Sequence, residues 1–224
     1  MSSNKFFRMP IHIYTFFGKP GAGKTTLAAY IANQYMNKNI PVYSNVPIIG
    51  TYKINKSQIG AYSLPLLEAD RCVLIIDEAI VEYSNREFKS NLNKFSNEWW
   101  HEHRHAHCSV YLFSQSYDGF DRKLRDLTFT YYIVKPSIFT KKLVYAHRIS
   151  MDVDINKMTD QIEDKYKFDP FFLRLFTTKR AWGPSVYDLF DSYDMPYRPP
   201  LPLVKYESKH VGVDPLPDQE SIVS

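Results

Sequence analysis

The run Gly18-Lys19-Pro20-Gly21-Ala22-Gly23-Lys24-Thr25 fits the pattern G-x-x-x-x-G-K-[ST]. Glycines at Gly18, Gly21 and Gly23 let backbone N–H groups converge on phosphate oxygens without side-chain interference, and the N-terminus of a following helix adds a favourable dipole. Lys24 would then pair with the β- and γ-phosphates of ATP, Thr25 would ligate Mg2+, and Thr26 would complete the cradle. A second run, Val73-Leu74-Ile75-Ile76-Asp77-Glu78, brings two carboxylates to the end of an apolar stretch. That is where ligand crevices of α/β sheets form. The adjacent pair suggests a division of labour: Asp77 holds the hydrated metal and Glu78 takes the proton of an attacking water. Nucleotide kinases place no base there, so hydrolysis is favoured over phosphoryl transfer. Gln115 follows a third apolar stretch, and its amide could orient water against the γ-phosphate.

A competing chemistry is written in His101-Glu102-His103-Arg104-His105, which reads as H-E-x-x-H, the helix-borne pattern of zinc peptidases. The surrounding residues supply only His107, His103 and Cys108 in the same cluster, with no separate third ligand. If the sheet is parallel, a strand of this length puts His105 about 20 Å from Gln115. The histidines are therefore expected at a helix end or on a contact surface for DNA or a neighbouring subunit. Trp99 and Trp100 diverge by about 100° on a helix, so one of the two is expected at an interface.

These residues need a scaffold of alternating strands and helices, and the sequence offers one. Ile11 to Phe17 reads as a strand, Thr25 onward as a helix with Leu27, Ile31 and Tyr35 on one stripe, and Val42 onward as a second strand. The stretch ending at Asp77 has no polar alternation, as expected of a strand covered on both faces. Leu92, Phe95, Trp99 and His103 share a helical stripe before the strand that ends at Gln115. A short helix over FDRKLRDL, strands over TFTYYIVK and KLVYAHRISM flanking a turn at Pro136, and a short helix over SVYDLFDSY complete the pattern. The fold class is α/β, a P-loop NTPase with a mainly parallel sheet flanked by helices. Residues 1–194 form the ATPase domain, and the proline-rich, weakly hydrophobic residues 195–224 form an extended or disordered arm.

With 224 residues and 44% hydrophobic content, the chain can bury one substantial core. It carries 28 basic against 24 acidic residues, for a net charge of +4. Between Glu207 and Ser224 the tail has four acids and one lysine, so the body is basic and the tail acidic. The two cysteines, Cys72 and Cys108, make no disulfide framework, the N-terminus lacks a signal-peptide core, and no apolar run is long enough to cross a membrane. A cytosolic location with at most peripheral membrane contact is expected.

The blocks GKPGAGKT, LIIDEAIVEYSNREF and WWHEHRHAHCSVYLFSQSYDGFDRKLRDL, taken in that order and spacing over about residues 11–135, resemble the N-terminal ATPase domain of the zonula occludens toxin (Zot) family, which includes assembly proteins of filamentous phages. The resemblance implies a P-loop NTPase related to DNA-pumping ATPases, acting in the host cytoplasm, at the membrane or on the virion. It implies viral DNA, single-stranded, and other virion or membrane assembly proteins as partners. It matches Lys24 and Thr25 to the nucleotide loop, Asp77 and Glu78 to the metal and base pair, Arg86 to the arginine after Ser84-Asn85, His103-Arg104-His105 to the block before the third strand, and Gln115 to that strand's terminal glutamine. Those assembly proteins continue into a membrane-spanning helix, whereas this chain ends in the acidic arm, a departure that sets a soluble genome-packaging ATPase of a tailless virus beside extrusion of single-stranded DNA as the expected role.

Ring-forming ATPases need an arginine finger from a neighbouring copy. Arg86, Arg122 and Arg125 are expected to follow strand ends on the nucleotide side, and the Arg122–Arg125 run could alternatively neutralise DNA phosphates. Two rival readings are a nucleotide-binding assembly adaptor without motor activity and a nucleotide kinase.

Overall fold

This computed structural model describes residues 6, 9–55, 58–59, 71–78, 99–117, 122–140, 142–156 and 161–190. The chain divides into two units, Met1–Ser192 and Tyr193–Ser224, and all described residues fall in the first. The expected arm at 195–224, the stripe residues Leu92 and Phe95, and Arg86 lie outside the described residues.

Nine strands build one sheet: β1 (Ile13–Phe17), β2 (Val42–Ser44), β3 (Tyr52–Lys53), β4 (Cys72–Ile76), β5 (Cys108–Ser114), β6 (Thr128–Pro136), β7 (Leu143–Asn156), β8 (Gln161–Phe168) and β9 (Lys179–Trp182). Among the described residues three α-helices accompany them, α1 (Lys24–Met36), α2 (Arg122–Leu127) and α3 (Phe171–Thr177). The order is β3-β2-β4-β5-β1-β6-β7-β8, with β9 on β7. All pairings from β3 to β6 are parallel, and those of β7 are antiparallel.

Every residue of β1, β4 and β5 is buried, which is why these strands read as unbroken apolar runs. Their alternate side chains feed two cores. Tyr14, Phe16, Val73, Ile75, Tyr111 and Phe113 meet Leu27, Ala28, Ile31 and Tyr35 of α1. Ile13, Phe17, Leu74, Ile76, Val110 and Leu112 point to the opposite face, where Trp99, Trp100 and Leu124 cover them. The Tyr35 and Tyr111 hydroxyls share a 2.7 Å hydrogen bond inside the first core, so the two large phenols are buried without leaving a polar atom unpaired.

Both tryptophans are buried, Trp99 7% and Trp100 1% exposed, which corrects the expectation that one of them sits at an interface. Their rings pack edge to face at 5.1 Å. Indoles are long enough that two side chains diverging around a helix end still reach one core when they pack against each other.

The antiparallel half differs most from the sequence reading. KLVYAHRISM is the first part of a 14-residue strand. One stretch of that strand, Leu143 to Ala146, pairs with β9, and another, Ile149 to Asn156, pairs with β8. Strands β8 and β9 and helix α3 were not expected; where a short helix was expected from Ser185, Gly183–Ser185 and Tyr187–Leu189 are 3-10 turns, and residues 191–193 lie outside the described residues.

Candidate functional site

Strand β5 inserts between β1 and β4, so the segments following all three strands emerge side by side at their carboxyl ends. The chain leaves β1 for β2 by way of α1 on one face. It returns from β5 to β6 by way of α2 across the other, which makes the end of β1 a topological switch point.

The glycine-rich loop sits at this point. Gly18 N–H donates to the Ser114 carbonyl at 3.1 Å, tying the loop to β5, and Ala22 N–H donates to Lys19 O at 3.1 Å to close the turn. Gly21 and Gly23 have φ of +75° and +90°, conformations that cost an L side chain energy. Helix α1 begins on the left-handed Gly23 with neither a side-chain cap nor an acidic residue in its first turn. Its leading N–H groups are therefore offered to an anion from outside the helix. Lys24 Nζ donates to the carbonyls of Gly18 at 2.8 Å and Lys19 at 3.3 Å. Burial lowers its pKa, and the carboxylates of Asp77 and Glu78 oppose that shift.

Opposite the loop, Asp77 follows β4 and is 9% exposed. Thr25 Oγ1 donates to Asp77 Oδ2 at 3.2 Å, so the hydroxyl and carboxylate that could share a metal ion are neighbours. Both are hard oxygen donors of the kind Mg2+ takes in small number alongside phosphate and water. The other oxygen, Oδ1, accepts the Glu78 N–H at 2.8 Å. Glu78 is solvent-exposed and has φ of +50°. A non-glycine residue in that region is strained, and such strain gathers at functional sites.

Sequence reasoning missed Asn45. Its amide clamps the backbone of Asp77 from both sides, Nδ2 donating to Asp77 O at 2.9 Å and Asp77 N–H donating to Asn45 Oδ1 at 2.8 Å. The only signal was an asparagine directly after a buried strand, which becomes meaningful once β2 is known to lie beside β4. Asn45→Ala is expected to cost about 1 to 3 kcal/mol of stability through two lost bonds at a buried site. It should also raise the magnesium concentration needed for half-maximal turnover. Chemical denaturation together with a magnesium titration checks both.

Gln115 lies one residue beyond β5 and is exposed. Together with Gly18, Lys19, Pro20, Tyr117 and Lys135 it lines a cleft of about 750 Å3 against the loop. The structure thus brings Thr25 to Asp77, with Glu78 next in the chain, and Gln115 to Gly18–Ala22 across the cleft. Arg125, on helix α2, borders this cleft through Tyr117. Helix α2 leads into Thr128, which pairs with Ile13 at the start of β1, the end of the sheet away from the loop. The Arg125 guanidinium stacks over the Tyr117 ring of its own chain at 4.8 Å. Arg122 lies on the same helix.

The histidine block is at that far end too, just before β5. Residues 99–102 are helical and 103–107 form turns, so His101 and His105 do not share the helix face that H-E-x-x-H requires. No group of three His, Cys, Asp or Glu able to hold a metal occurs among the described residues. His103 is buried, with Nδ1–H donating to Trp100 O at 2.8 Å, so it closes a helix end while His101 and His105 face solvent. Burial pushes the His103 pKa below its ordinary 6.5, and burial does the same to His12 and His147. The unfolded chain thus binds protons more readily, and stability is full above pH 6.5 and falls as pH drops below it. His103→Gln is expected to flatten part of that acid-side slope in urea denaturation followed as a function of pH.

A glycine-rich loop at the end of β1, a carboxylate pair at the end of β4 and a strand inserted between them define the P-loop NTPase fold. The chain belongs to the AAA family, the ATPases associated with various cellular activities, whose model matches residues 14–135, and it is an ATP-binding, ATP-hydrolysing P-loop enzyme. In fold it is similar to the N-terminal domain of zonular occludens toxin from Neisseria meningitidis, with 19% identity, a TM-score of 0.53, and coverage of 82% of this chain and 100% of that one. The genome packaging NTPase B204 from Sulfolobus turreted icosahedral virus 2, solved with AMPPCP, aligns with 13% identity over 73% of this chain and 99% of that one, at a TM-score of 0.46. No curated protein sequence matches the chain. No helix among the described residues is long and apolar enough to cross a membrane.

Proposed function

We propose that this ATPase moves viral DNA, single-stranded by preference, during virion assembly, extrusion or genome packaging. The observation that carries the site assignment is the juxtaposition of Thr25 with Asp77 at 3.2 Å, with Glu78 next in the chain. Gly18 to Thr26 cradle the phosphates, and Lys24 neutralises the β- and γ-oxygens. Thr25 and Asp77 hold Mg2+, which when bound offsets the charge that develops on the phosphates. Glu78 accepts the proton of the attacking water, and Gln115 holds that water in line.

The chain acts as a homo-oligomeric ring in the host cytoplasm, at the membrane or on the virion, with other assembly proteins. The arginine finger comes from a neighbouring copy. Arg86 is its first candidate, because Arg125 is packed over Tyr117 within its own chain. Supporting the DNA assignment are the three sequence blocks shared with the Zot family and the basic body of the chain. Phosphate release measured with and without single- and double-stranded DNA tests it. Stimulation that weakens with added salt is expected, whereas turnover indifferent to DNA at every salt concentration would remove the DNA role.

A further inference from the structure

The cleft beside the glycine-rich loop has about 750 Å3, within the range of about 300 to 1,000 Å3 typical of small-molecule sites. The loop supplies only one of its walls. The rest is largely apolar and comes from strands with no part in the phosphate chemistry: Phe17 ends β1, Ile133 lies on β6, Ile149 and Met151 on β7, and Tyr166 on β8. Their register puts these five side chains on one face of the sheet. Phe17 pairs with Ile133, Ile133 with His147 two residues before Ile149, and Met151 with Tyr166. It is the face opposite α1, because Phe17 belongs to the core that α1 does not touch.

The strand order decides which end of a nucleotide reaches this floor. Asp77 stands at the end of β4, two strands to one side of β1, and neither it nor its neighbour Thr25 lines the cleft. Strands β6, β7 and β8 follow on the other side of β1. A triphosphate whose terminal phosphate points at Asp77 therefore leads its nucleoside away from β4, past Gly18–Ala22 and over β6. Strand β8 lies three strand spacings from β1, about 14 Å, so side chains on β7 and β8 are where a ribose and base arrive. A Cβ on Gly18 would lie 3.0 Å from Val134 O, which shows how closely the loop abuts β6 on that path.

The floor suits a planar heteroaromatic ring. Ile149 is buried and Met151 half-buried, while Tyr166 is 55% exposed at the margin. A base laid on them covers apolar surface and adds ring stacking and a thioether contact. Toward β5 the cleft is closed by Tyr117, whose ring packs edge to face on Phe17 at 5.5 Å and on Tyr131 at 5.7 Å. Ile149, Met151 and Tyr166 all lie beyond residues 14–135, the segment matched by the AAA model, so the antiparallel half of this chain supplies them.

We infer that β7 and β8 form the nucleobase subsite of this ATPase, with adenine lying over Ile149 and Met151 and against the ring of Tyr166. This placement rests on the assignment of Gly18 to Thr26 to the triphosphate. Titration calorimetry of the full chain with Mg2+ compares AMPPCP, which carries the base and resists hydrolysis, with inorganic tripolyphosphate, which lacks the nucleoside. Tyr166→Ala is expected to weaken AMPPCP binding about tenfold or more, the usual effect of removing a stacking ring, and to leave tripolyphosphate within about twofold of wild type. Tyr166→Trp should keep most of the AMPPCP affinity. Unchanged tripolyphosphate binding also reports that the loop and the fold are intact. Photolabelling with an azidoadenine nucleotide, followed by peptide mapping, is expected to mark peptides carrying Met151 or Tyr166. Equal loss of both ligands in Tyr166→Ala, AMPPCP affinity equal to wild type, or label confined to the loop and α1 overturns the subsite. A wild type that binds neither ligand overturns the triphosphate assignment, and the subsite with it.

Discussion

Glu78→Gln is expected to lower ATP turnover by about a hundredfold to ten-thousandfold, the usual contribution of a positioned general base, while nucleotide remains bound. The expectation follows from where Glu78 stands. It is exposed, directly after the metal-site candidate Asp77, and its own N–H is fixed by Asp77 Oδ1. The amide keeps the side chain's shape and leaves that backbone contact in place, so only the proton-accepting carboxylate is removed. Nothing in the loop from Gly18 to Thr25 depends on Glu78 for a hydrogen bond described above. Single-turnover phosphate release beside equilibrium binding of a fluorescent ATP analogue separates the two quantities. A variant that still turns over, or one that loses nucleotide, contradicts the assignment of Glu78 as the base. An adaptor that only binds nucleotide would behave alike with either residue.

Gly23→Ala is expected to abolish nucleotide binding and to destabilise the fold. A Cβ there would lie 2.6 Å from Val144 Cγ2, and the residue holds φ of +90°. The left-handed conformation costs about 1 to 2 kcal/mol for an L residue, and forcing a methyl into a filled site costs about 1 to 3 kcal/mol more. Relief would require α1 and β7 to separate at the point where the helix N–H groups face the phosphates. Gly21→Ala is the informative comparison. Its φ of +75° carries the same conformational cost, but a Cβ would meet nothing within 4 Å. It should therefore be stable enough to purify and lose only part of its affinity. Thermal unfolding and nucleotide titration of the two variants check the ranking, and an equal effect at both positions would remove Val144 as the reason.

The parallel half of the fold was legible because its strands are buried on both faces. VLII and CSVYLFS are apolar without alternation, and the loop between β1 and α1 carries an unmistakable spacing. The antiparallel half was not. Gln161 to Phe168 carries four charged residues with no apolar run and pairs along β7 at the end of the strand order, so its composition does not mark it as a strand. Phe171 to Thr177 looks like a core segment by composition and is exposed, so apolar content alone misleads about where it lies.

Among candidate site residues, those in motifs are legible from spacing and those acting through them are not. Asn45 matters only because Ser44 of β2 lies beside Ile75 of β4, a pairing that no local spacing encodes. The tryptophan pair failed for a related reason. A 100° divergence on a helix says which way two side chains start out, but not whether a second ring is waiting to receive both. Arg125 sits on α2, which leads to the beginning of β6, and its guanidinium lies over Tyr117 at the cleft, a placement that order in the chain alone does not give.

The most direct test of a DNA motor is mechanical. Biotinylated single-stranded DNA carrying streptavidin is incubated with the full chain, Mg2+ and ATP, with free biotin as trap, and displaced streptavidin is followed over time. Wild type is predicted to displace it at a rate that rises with ATP turnover, and Glu78→Gln to bind the DNA and ATP without displacing anything. Displacement that proceeds equally without ATP, or robust DNA-stimulated turnover with no displacement from either single- or double-stranded DNA, would contradict the coupling of hydrolysis to DNA movement.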